Sequence, residues 1–301
     1  MRYDFIEQHR SIWPVRVMCR VLQASPDGYY QWRNGKASKR KQADLELLPE
    51  IRQVHEMSGH TYGAEWIAKE IRSKGTPVGK ARVKRLMNQE NMTVQCKNTW
   101  KCMGTTNSSQ TYEPSPDLVN RAFHRTELDE LWLSDYSELP SVGSKIYAVA
   151  IKDQASHRIL GIHISHDLHV GALFKAFHQA VKVRRLDQRT LETSIIFHSD
   201  QGGQYNSLSF KEALTKHGLV SSMGSSGDCY DNAPMESFWA TMKTELMHHF
   251  PFRSVEHAVG AILRWVHLFY NQRRRHTSIG GLSPVQYEAN WFRRNRELTF
   301  A

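Results

Sequence analysis

At 301 residues the chain is long enough for two or three domains with at least one sizeable core. Its formal net charge is +10 and its sequence pI about 9.5, a balance that favours a polyanionic partner. Four cysteines are too few for a disulfide framework, and no apolar run approaches the roughly 18–20 residues that span a bilayer. With no signal peptide in the sequence, we expect a soluble cytoplasmic protein.

The positive charge is concentrated in the first third of the chain. Residues 1–110 contain 19 Lys and Arg against 10 Asp and Glu, whereas residues 111–301 contain 21 against 20. A basic segment followed by a nearly neutral one predicts a binding region joined to a region that does chemistry. A solvated basic surface is the simpler alternative.

The N-terminal region is predicted to be helical. Residues 1–22 favour a short helix, and Ser25-Pro26-Asp27-Gly28 then interrupts the pattern. Three more helices, separated by glycine-containing turns, are predicted at residues 44–57, 64–74 and 80–91. Short helices joined by tight turns in a basic segment are typical of a helix-turn-helix-like DNA-binding region, which we assign to residues 1–103.

A linker rich in Gly, Ser, Thr and Pro is predicted at residues 104–116. The pattern then changes to apolar strands that later alternate with helices. Strands are predicted at residues 131–135, 146–151, 159–164, 194–200 and 219–223, and helices at 170–185, 207–217 and from about 232 onward. Paired strands followed by alternating strands and helices favour a mixed α/β sheet.

Three acidic residues lie where an acid costs free energy unless it is paired or binds a metal. Asp135 lies in an apolar strand, Asp200 ends another, and Glu236 is in the first turns of a helix. Lys243 follows Glu236 by seven residues and shares its helix face. Magnesium prefers carboxylate oxygens, and two ions about 3.5–4 Å apart assist in-line displacement at phosphorus. Taken singly, each acid is more simply a surface or capping group.

Three other sites are weakly suggested. His198-Ser199-Asp200 cannot form a serine-hydrolase triad, because adjacent strand residues face opposite sides. Residues 75–81 are one residue short of a P-loop and lack its Ser or Thr. A zinc site from His55, His60, Cys96 and Cys102 remains an alternative, although Cys-x5-Cys is wider than the usual zinc spacing.

Several motifs, in order along the chain, resemble those of insertion-sequence transposases of the IS-three family. They are His60–Gly63, Val78–Val83, Phe197–Tyr205, Asp228–Phe238, and Tyr270–His276 followed by Leu282-Ser283-Pro284. Between Asp200 and Glu236 lie 35 residues, a spacing typical of retroviral-integrase-like DDE enzymes. Lys243 matches the basic residue that the family carries two turns after the glutamate.

The first aspartate departs from the family pattern. The family usually has Thr or Ala, Asp, Ile or Leu, then Thr, whereas this chain has Ser134-Asp135-Tyr136-Ser137. The aspartate itself is kept, so we assign Asp135 to this position. Asp129 and Asp153 are the fallback candidates.

The resemblance implies an α/β fold with an RNase H-like integrase catalytic core, a mixed five-stranded sheet with flanking helices, at residues 117–245. The helical helix-turn-helix-like region would precede it, and a basic helical region at residues 246–301 would follow. The implied activity is DNA transposition: metal-dependent strand cleavage and strand transfer at insertion-sequence ends. Asp135, Asp200 and Glu236 would be both the catalytic residues and the ligands of two Mg²⁺ (or Mn²⁺) ions.

DNA contacts are predicted for Lys243, His198 and Asn232 and for the three arginines Arg273, Arg274 and Arg275. A packing role for His198, a helix cap for Asn232 and a solvated helix end for the arginines are the alternatives. A hydrolytic nuclease of the same fold, or a relic that only binds DNA, is the alternative function.

The resemblance also implies partners: element-end and target DNA, further copies of the chain on that DNA, and an upstream-frame helix-turn-helix protein supplied separately or by frameshift fusion. No heptad run opens the chain, as expected if that partner is separate. No membrane partner is expected, and the location would be the bacterial cytoplasm, in association with the nucleoid.

Overall fold

The structure is a computed structural model that describes residues 1–35, 39–94, 113–139, 145–188, 194–224, 229–247 and 252–299. The chain divides into two compact units, Met1–Val94 and Gln95–Ala301. Over these ranges, no helix combines the length and the apolar character needed to cross a membrane. The predicted linker lies largely outside the described residues, as do Cys96 and Cys102.

The first unit begins with three short helices, α1 (Arg2–His9), α2 (Val15–Val21) and α3 (Pro26–Arg33). Their small core contains Ile6, Met18, Cys19 and Tyr29. The single helix predicted for residues 1–22 is wrong, because a turn at residues 10–13 and extended Pro14 separate α1 from α2. The predicted interruption at Ser25 is a helix start: its hydroxyl accepts from Gly28 N at 3.3 Å, and Pro26 opens α3.

The three other helices predicted in this unit are confirmed as α4 (Lys39–Met57), α5 (Ala64–Ser73) and α6 (Lys80–Gln89). Apolar residues at helical spacing from all three helices form one core, including Ile51, Ile67, Ile71, Val83 and Leu86. Asp44 of α4 pairs with two arginines of α6, Arg82 at 2.7 Å and Arg85 at 2.6 Å. These ion pairs connect the first helix of the trio to the last.

The second unit contains the predicted five-stranded mixed sheet. Its strands are β1 (Leu131–Leu139), β2 (Ile146–Asp153), β3 (Ile159–Ser165), β4 (Ile195–Ser199) and β5 (Leu219–Met223), in the order β3-β2-β1-β4-β5. The pairs β1/β2 and β2/β3 are antiparallel, whereas β1/β4 and β4/β5 are parallel. The fold class predicted from the sequence is confirmed.

The helices of this unit are α7 (Val170–Arg184), α8 (Leu208–Lys216), α9 (Ala233–Met242), α10 (Val255–Arg264) and α11 (Pro284–Thr299). Helices α7 and α8 pack on one sheet face, against Trp132, Val149 and Phe197. Helices α9 and α10 pack on the other, against Leu131 and Leu133. Lys243–Met247 and Trp265–Tyr270 extend α9 and α10 as π-helical turns. Helices therefore cover both faces of the sheet.

Candidate active site

Asp135 and Asp200 come together through the register of two parallel strands. Leu133 of β1 lies opposite His198 of β4. Extending this register by two residues places Asp135 opposite Asp200, just beyond the end of β4. Because side chains alternate along a strand, the side chains of Asp135 and Asp200 point to the same sheet face as Leu133, which packs against α9. Both side chains are half-buried.

Contacts of α9 with β1 and β2 hold the helix of Glu236 next to Asp135. Asn232, the N-cap of α9, donates from Nδ2 to Ser134 O at 3.0 Å. Trp239, one turn after Glu236, donates its indole N–H to Asp135 Oδ2 at 3.0 Å. The buried Lys152 donates from Nζ to Pro234 O at 2.9 Å in the first turn of the same helix. The half-buried Glu236 carboxylate therefore shares one end of the sheet with Asp135.

A tight turn after β4 holds Asp200. The backbone N–H of Gly202 donates to Asp200 Oδ1 at 3.2 Å, and Tyr205 N donates to Gly202 O at 3.0 Å. A Cβ at position 202 would lie 3.1 Å from that carboxylate oxygen, so glycine suits this turn. The Tyr205 hydroxyl reaches back to Ser134 Oγ at 2.9 Å, next to Asp135.

His198 supports the site from the protein interior. It is 1% exposed, with Nδ1 2.9 Å from Ser222 Oγ and Nε2 2.9 Å from Asp231 O. Both ring nitrogens are thus engaged within the chain, and burial lowers the pKa of the imidazole. The DNA contact predicted for His198 is corrected here: the residue packs and holds the segment that leads into α9.

Negative charge accumulates at the site. Burial, and then the charges of Asp200 and Glu236, raise the pKa of Asp135 well above its ordinary value. Burial also raises the pKa of Glu236 and that of the Tyr205 hydroxyl, to which Asp200 and Asp135 contribute further. A divalent cation would relieve this repulsion and allow Asp135 to ionise.

The donor set fits a hard divalent cation, since it consists of carboxylate oxygens that repel one another at a solvent-reachable strand end. In the ranges that the structure covers, no three His, Cys, Asp or Glu side chains are grouped closely enough to hold a metal by themselves. The carboxylates would therefore need to draw together on binding. Trp239 donates to Oδ2 of Asp135, and the backbone of Tyr136 also donates to this carboxylate.

Replacing Asp135 by Asn should stabilise the metal-free protein by about 1 kcal/mol at pH 7. A carboxyl whose folded pKa is raised contributes stability below its unfolded pKa, near 3.9, that is lost as pH rises through the folded pKa. The gain should therefore vanish below about pH 4. Thermal unfolding against pH without metal measures this, with the exposed Asp167→Asn as control. A destabilised D135N at pH 7 would contradict the charge repulsion.

The predicted basic residues differ in placement. Lys243 lies half-buried at the start of the π-helical turn, two turns beyond Glu236. Arg273 is exposed, and Arg275 donates from Nη1 to Gly281 O at 3.0 Å. Arg274 forms a bidentate ion pair with Glu245. The Arg274 guanidinium is thus engaged within the chain through Nε and Nη2, and the phosphate contacts of all three arginines stay predictions.

Asp129 and Asp153, the alternative candidates for the first catalytic aspartate, form a buried ion-pair cluster instead. Asp129 lies 2.7 Å and Asp153 3.5 Å from the guanidinium of Arg184, and both carboxylates are almost fully buried. Asp153 pairs in register with Trp132, three residues before Asp135 on β1, so it lies well away from the three candidate carboxylates. These acids compensate a buried cation.

Three supporting residues escaped the sequence analysis: Lys152, Tyr205 and Trp239. Trp239 is 4% exposed and belongs to the hydrophobic core, but its N–H also donates to Asp135. Its position three residues after Glu236 was the available signal. For Lys152 the signal was a lysine in an otherwise apolar strand.

Three family models match the chain: an HTH-like domain over residues 41–99, and two integrase core domains over residues 125–229 and 217–284. The uncharacterized 31 kDa protein of insertion element IS600 from Shigella sonnei is 32% identical over 91% of this chain and 98% of that protein. Transposase InsF of insertion sequence IS3A from Escherichia coli K12 is 29% identical over 96% of this chain and 98% of that protein.

Among the solved structures similar to this chain are an integrase catalytic core domain and an intasome. The HTLV-2 integrase catalytic core domain in complex with magnesium covers 53% of this chain and 96% of its own, with 16% identity and a TM-score of 0.39. The simian T-cell lymphotropic virus intasome, in complex with PP2A regulatory subunit B56 gamma, covers 79% of this chain and 73% of its own, with 11% identity and a TM-score of 0.44.

Proposed function

The chain belongs to the IS3-family insertion-sequence transposases with an integrase core, and from this we propose that Asp135, Asp200 and Glu236 are its catalytic, metal-binding carboxylates. DNA transposition by a polynucleotidyl transferase is the activity of the family. The observation that carries the proposal is the β1/β4 register, which, extended by two residues, sets Asp135 in the middle of β1 opposite Asp200 just past the end of β4, with Asp135 bonded to the helix of Glu236.

The proposed reaction has two phosphoryl transfers. In the first, water attacks a phosphodiester at the element end and the bond to the 3′-oxygen breaks, leaving a 3′-hydroxyl. In the second, that hydroxyl attacks another phosphodiester, forming one P–O bond as another breaks. No covalent link to the enzyme is required. Bound magnesium ions would supply Lewis-acid stabilisation of the attacking and leaving oxygens.

The side chains would act mainly by positioning and electrostatics. Trp239 would hold Asp135, and Gly202 N–H would orient Asp200. Lys243, about 10.5 Å along the helix from Glu236 on the same face, would contact a phosphate near the cleaved bond. Mn²⁺ would replace Mg²⁺ in the same ligand set.

A strand-transfer assay with pre-cut element-end DNA tests the proposal. A transposase should join the supplied 3′-hydroxyl to a target strand in magnesium, whereas a nuclease would only shorten the substrate. The assay should be run with and without the upstream-frame protein, on which we propose that specific end recognition depends. Binding without cutting or joining in both conditions would mark a DNA-binding relic and refute the proposed chemistry.

We further propose that α6 binds DNA in the helix-turn-helix-like region. Its buried side carries Val83, Leu86 and Met87, whereas Ala81, Lys84, Arg85, Asn88 and Gln89 line a shallow exposed surface. Because Arg85 pairs with Asp44 and also donates to Gln89 Oε1 at 3.3 Å, we expect the exposed Lys84 and Asn88 to meet DNA. A lysine suits phosphate or guanine, and an amide suits adenine in the major groove.

Replacing Lys84 by Ala should weaken DNA binding evenly across sequences and reduce the slope of log affinity against log salt by about 1. Replacing Asn88 by Ala should instead cost about 1–3 kcal/mol on element ends only. Fluorescence anisotropy with end and scrambled DNA at several salt concentrations measures both. Lys182→Ala, an exposed lysine of α7, is the control. Wild-type binding by both α6 variants would exclude this surface.

A further inference from the structure

The helix that carries Glu236 is held in place by a later part of the chain. Glu245, in the π-helical turn that extends α9, is 11% exposed and receives a forked ion pair from Arg274. Arg274 Nε lies 3.0 Å from both carboxylate oxygens, and Nη2 lies 2.8 Å from Oε1. A guanidinium fork of this kind fixes direction as well as distance.

Two contacts hold α9 and its π-helical extension to the later part of the chain. At about 100° per residue along α9, Phe238 projects roughly 200° away from Glu236. Phe238 meets Tyr270 edge-on, with ring centroids 5.1 Å apart. Glu245, in the π-helical turn that follows, pairs with Arg274. One aromatic and one ionic contact therefore hold the helical segment that carries Glu236 and Lys243.

Tyr270–His276, which we call the strap, is itself anchored to rigid elements. The Asn271 side chain accepts from Ile159 N and donates to Ile159 O at the start of β3, both at 2.9 Å. The Asn271 carbonyl accepts from Val285 N of α11 at 3.1 Å. The Tyr270 ring also lies 5.9 Å from the Arg274 guanidinium carbon. The strap is therefore fixed to β3 and α11, and its contacts with Phe238 and Glu245 fix α9 relative to those elements.

We propose that Arg274 is a positioning residue. Through Glu245 it fixes the axial rotation of α9, and with it the reach of Glu236 toward Asp135 and of Lys243 toward DNA. Arg274 is then no phosphate ligand, in contrast to what a run of three arginines suggests. This inference rests on the proposed role of Glu236 in metal binding.

The test compares R274A, E245Q, R274E and the exchanged pair E245R/R274E in the full chain. We expect R274A and E245Q each to lower magnesium-dependent cleavage at saturating DNA by about 100-fold. DNA affinity and its salt slope should stay as in wild type, because no phosphate contact is lost. The exchanged pair should recover at least about 10-fold relative to R274E alone. Gln272→Ala, an exposed neighbour in the strap, is the control.

E245Q separates positioning from DNA binding even if R274A fails to fold. If Arg274 bound phosphate instead, E245Q would keep its activity and the exchanged pair would be no more active than R274E. R274A would then show a salt slope lower by about one. Each of these results overturns the proposal.

Manganese binding, followed by electron paramagnetic resonance without DNA, gives a second readout. Weaker Mn²⁺ binding by E245Q supports positioning, and wild-type binding overturns it. If E236Q cleaved DNA as wild type does, the proposed function would fail and this inference would fail with it. If E236Q were inactive while E245Q kept wild-type Mn²⁺ affinity and cleavage, the inference alone would fail.

Discussion

Replacing Glu236 by Gln, or Asp200 by Asn, is expected to lower magnesium-dependent strand cleavage and joining by about 10³-fold or more. Each change removes a negative ligand of a divalent ion while keeping the size of the side chain. Phosphoryl transfer offers the protein little chemistry besides positioning and charge stabilisation, so no neighbouring group would compensate. Gel analysis of end-labelled DNA in magnesium measures both products.

DNA binding should survive these changes. Removing a carboxylate lowers the repulsion of phosphate, so the affinity of D200N and E236Q for element-end DNA should equal or exceed that of wild type. Asp167→Asn, at an exposed position outside the site, should retain full activity. Near-normal cleavage by E236Q would require a different third ligand and would overturn the assignment.

Replacing Arg184 by Met should destabilise the second unit by about 3–5 kcal/mol, or prevent its folding. The Arg184 side chain is 4% exposed, and its guanidinium lies 2.7 Å from Asp129, 2.6 Å from Glu288 and 3.5 Å from Asp153. Without it, three buried carboxylates repel one another. Because Glu288 belongs to α11, the loss should appear first as release of that helix. Urea unfolding with hydrogen exchange in α11 measures both effects.

The destabilisation caused by Arg184→Met should be smaller at low pH. Burial alone would raise the pKa of Glu288, but Arg184 and Arg158 outweigh burial and lower it. A lowered folded pKa gives stability that is present above the unfolded pKa, near 4.3, and is lost as pH falls through the folded pKa. Wild type therefore loses this stability in acid, while R184M has none to lose. The exposed pair Lys145–Glu138 is the control, since K145A should cost at most about 1 kcal/mol. If the difference in free energy of unfolding between wild type and R184M were the same at pH 7 and pH 3, this explanation would be wrong.

Local patterns were sufficient to predict most elements and the identity of the candidate carboxylates. Apolar alternation predicted the five strands, and helical spacing predicted α4, α5 and α6, because each pattern reports the burial of one face by its own neighbours. The same local interpretation failed at Ser25-Pro26, where residues that commonly mark a turn instead cap and open α3. Cap and turn chemistry use the same residue types, and only the following contacts distinguish them.

The sequence by itself determined the sheet and the helices, since these follow from periodicity, and its motifs gave the candidate carboxylates through the resemblance to a family. The tertiary structure decided which of the polar residues are engaged within the chain. His198 turned inward to Asp231, Trp239 reached Asp135, and Arg274 paired with Glu245, 29 residues away. Each of these partners is brought into contact by the packing of helices and strands. The sequence around a polar residue does not show which distant group will satisfy its hydrogen bonds or its charge.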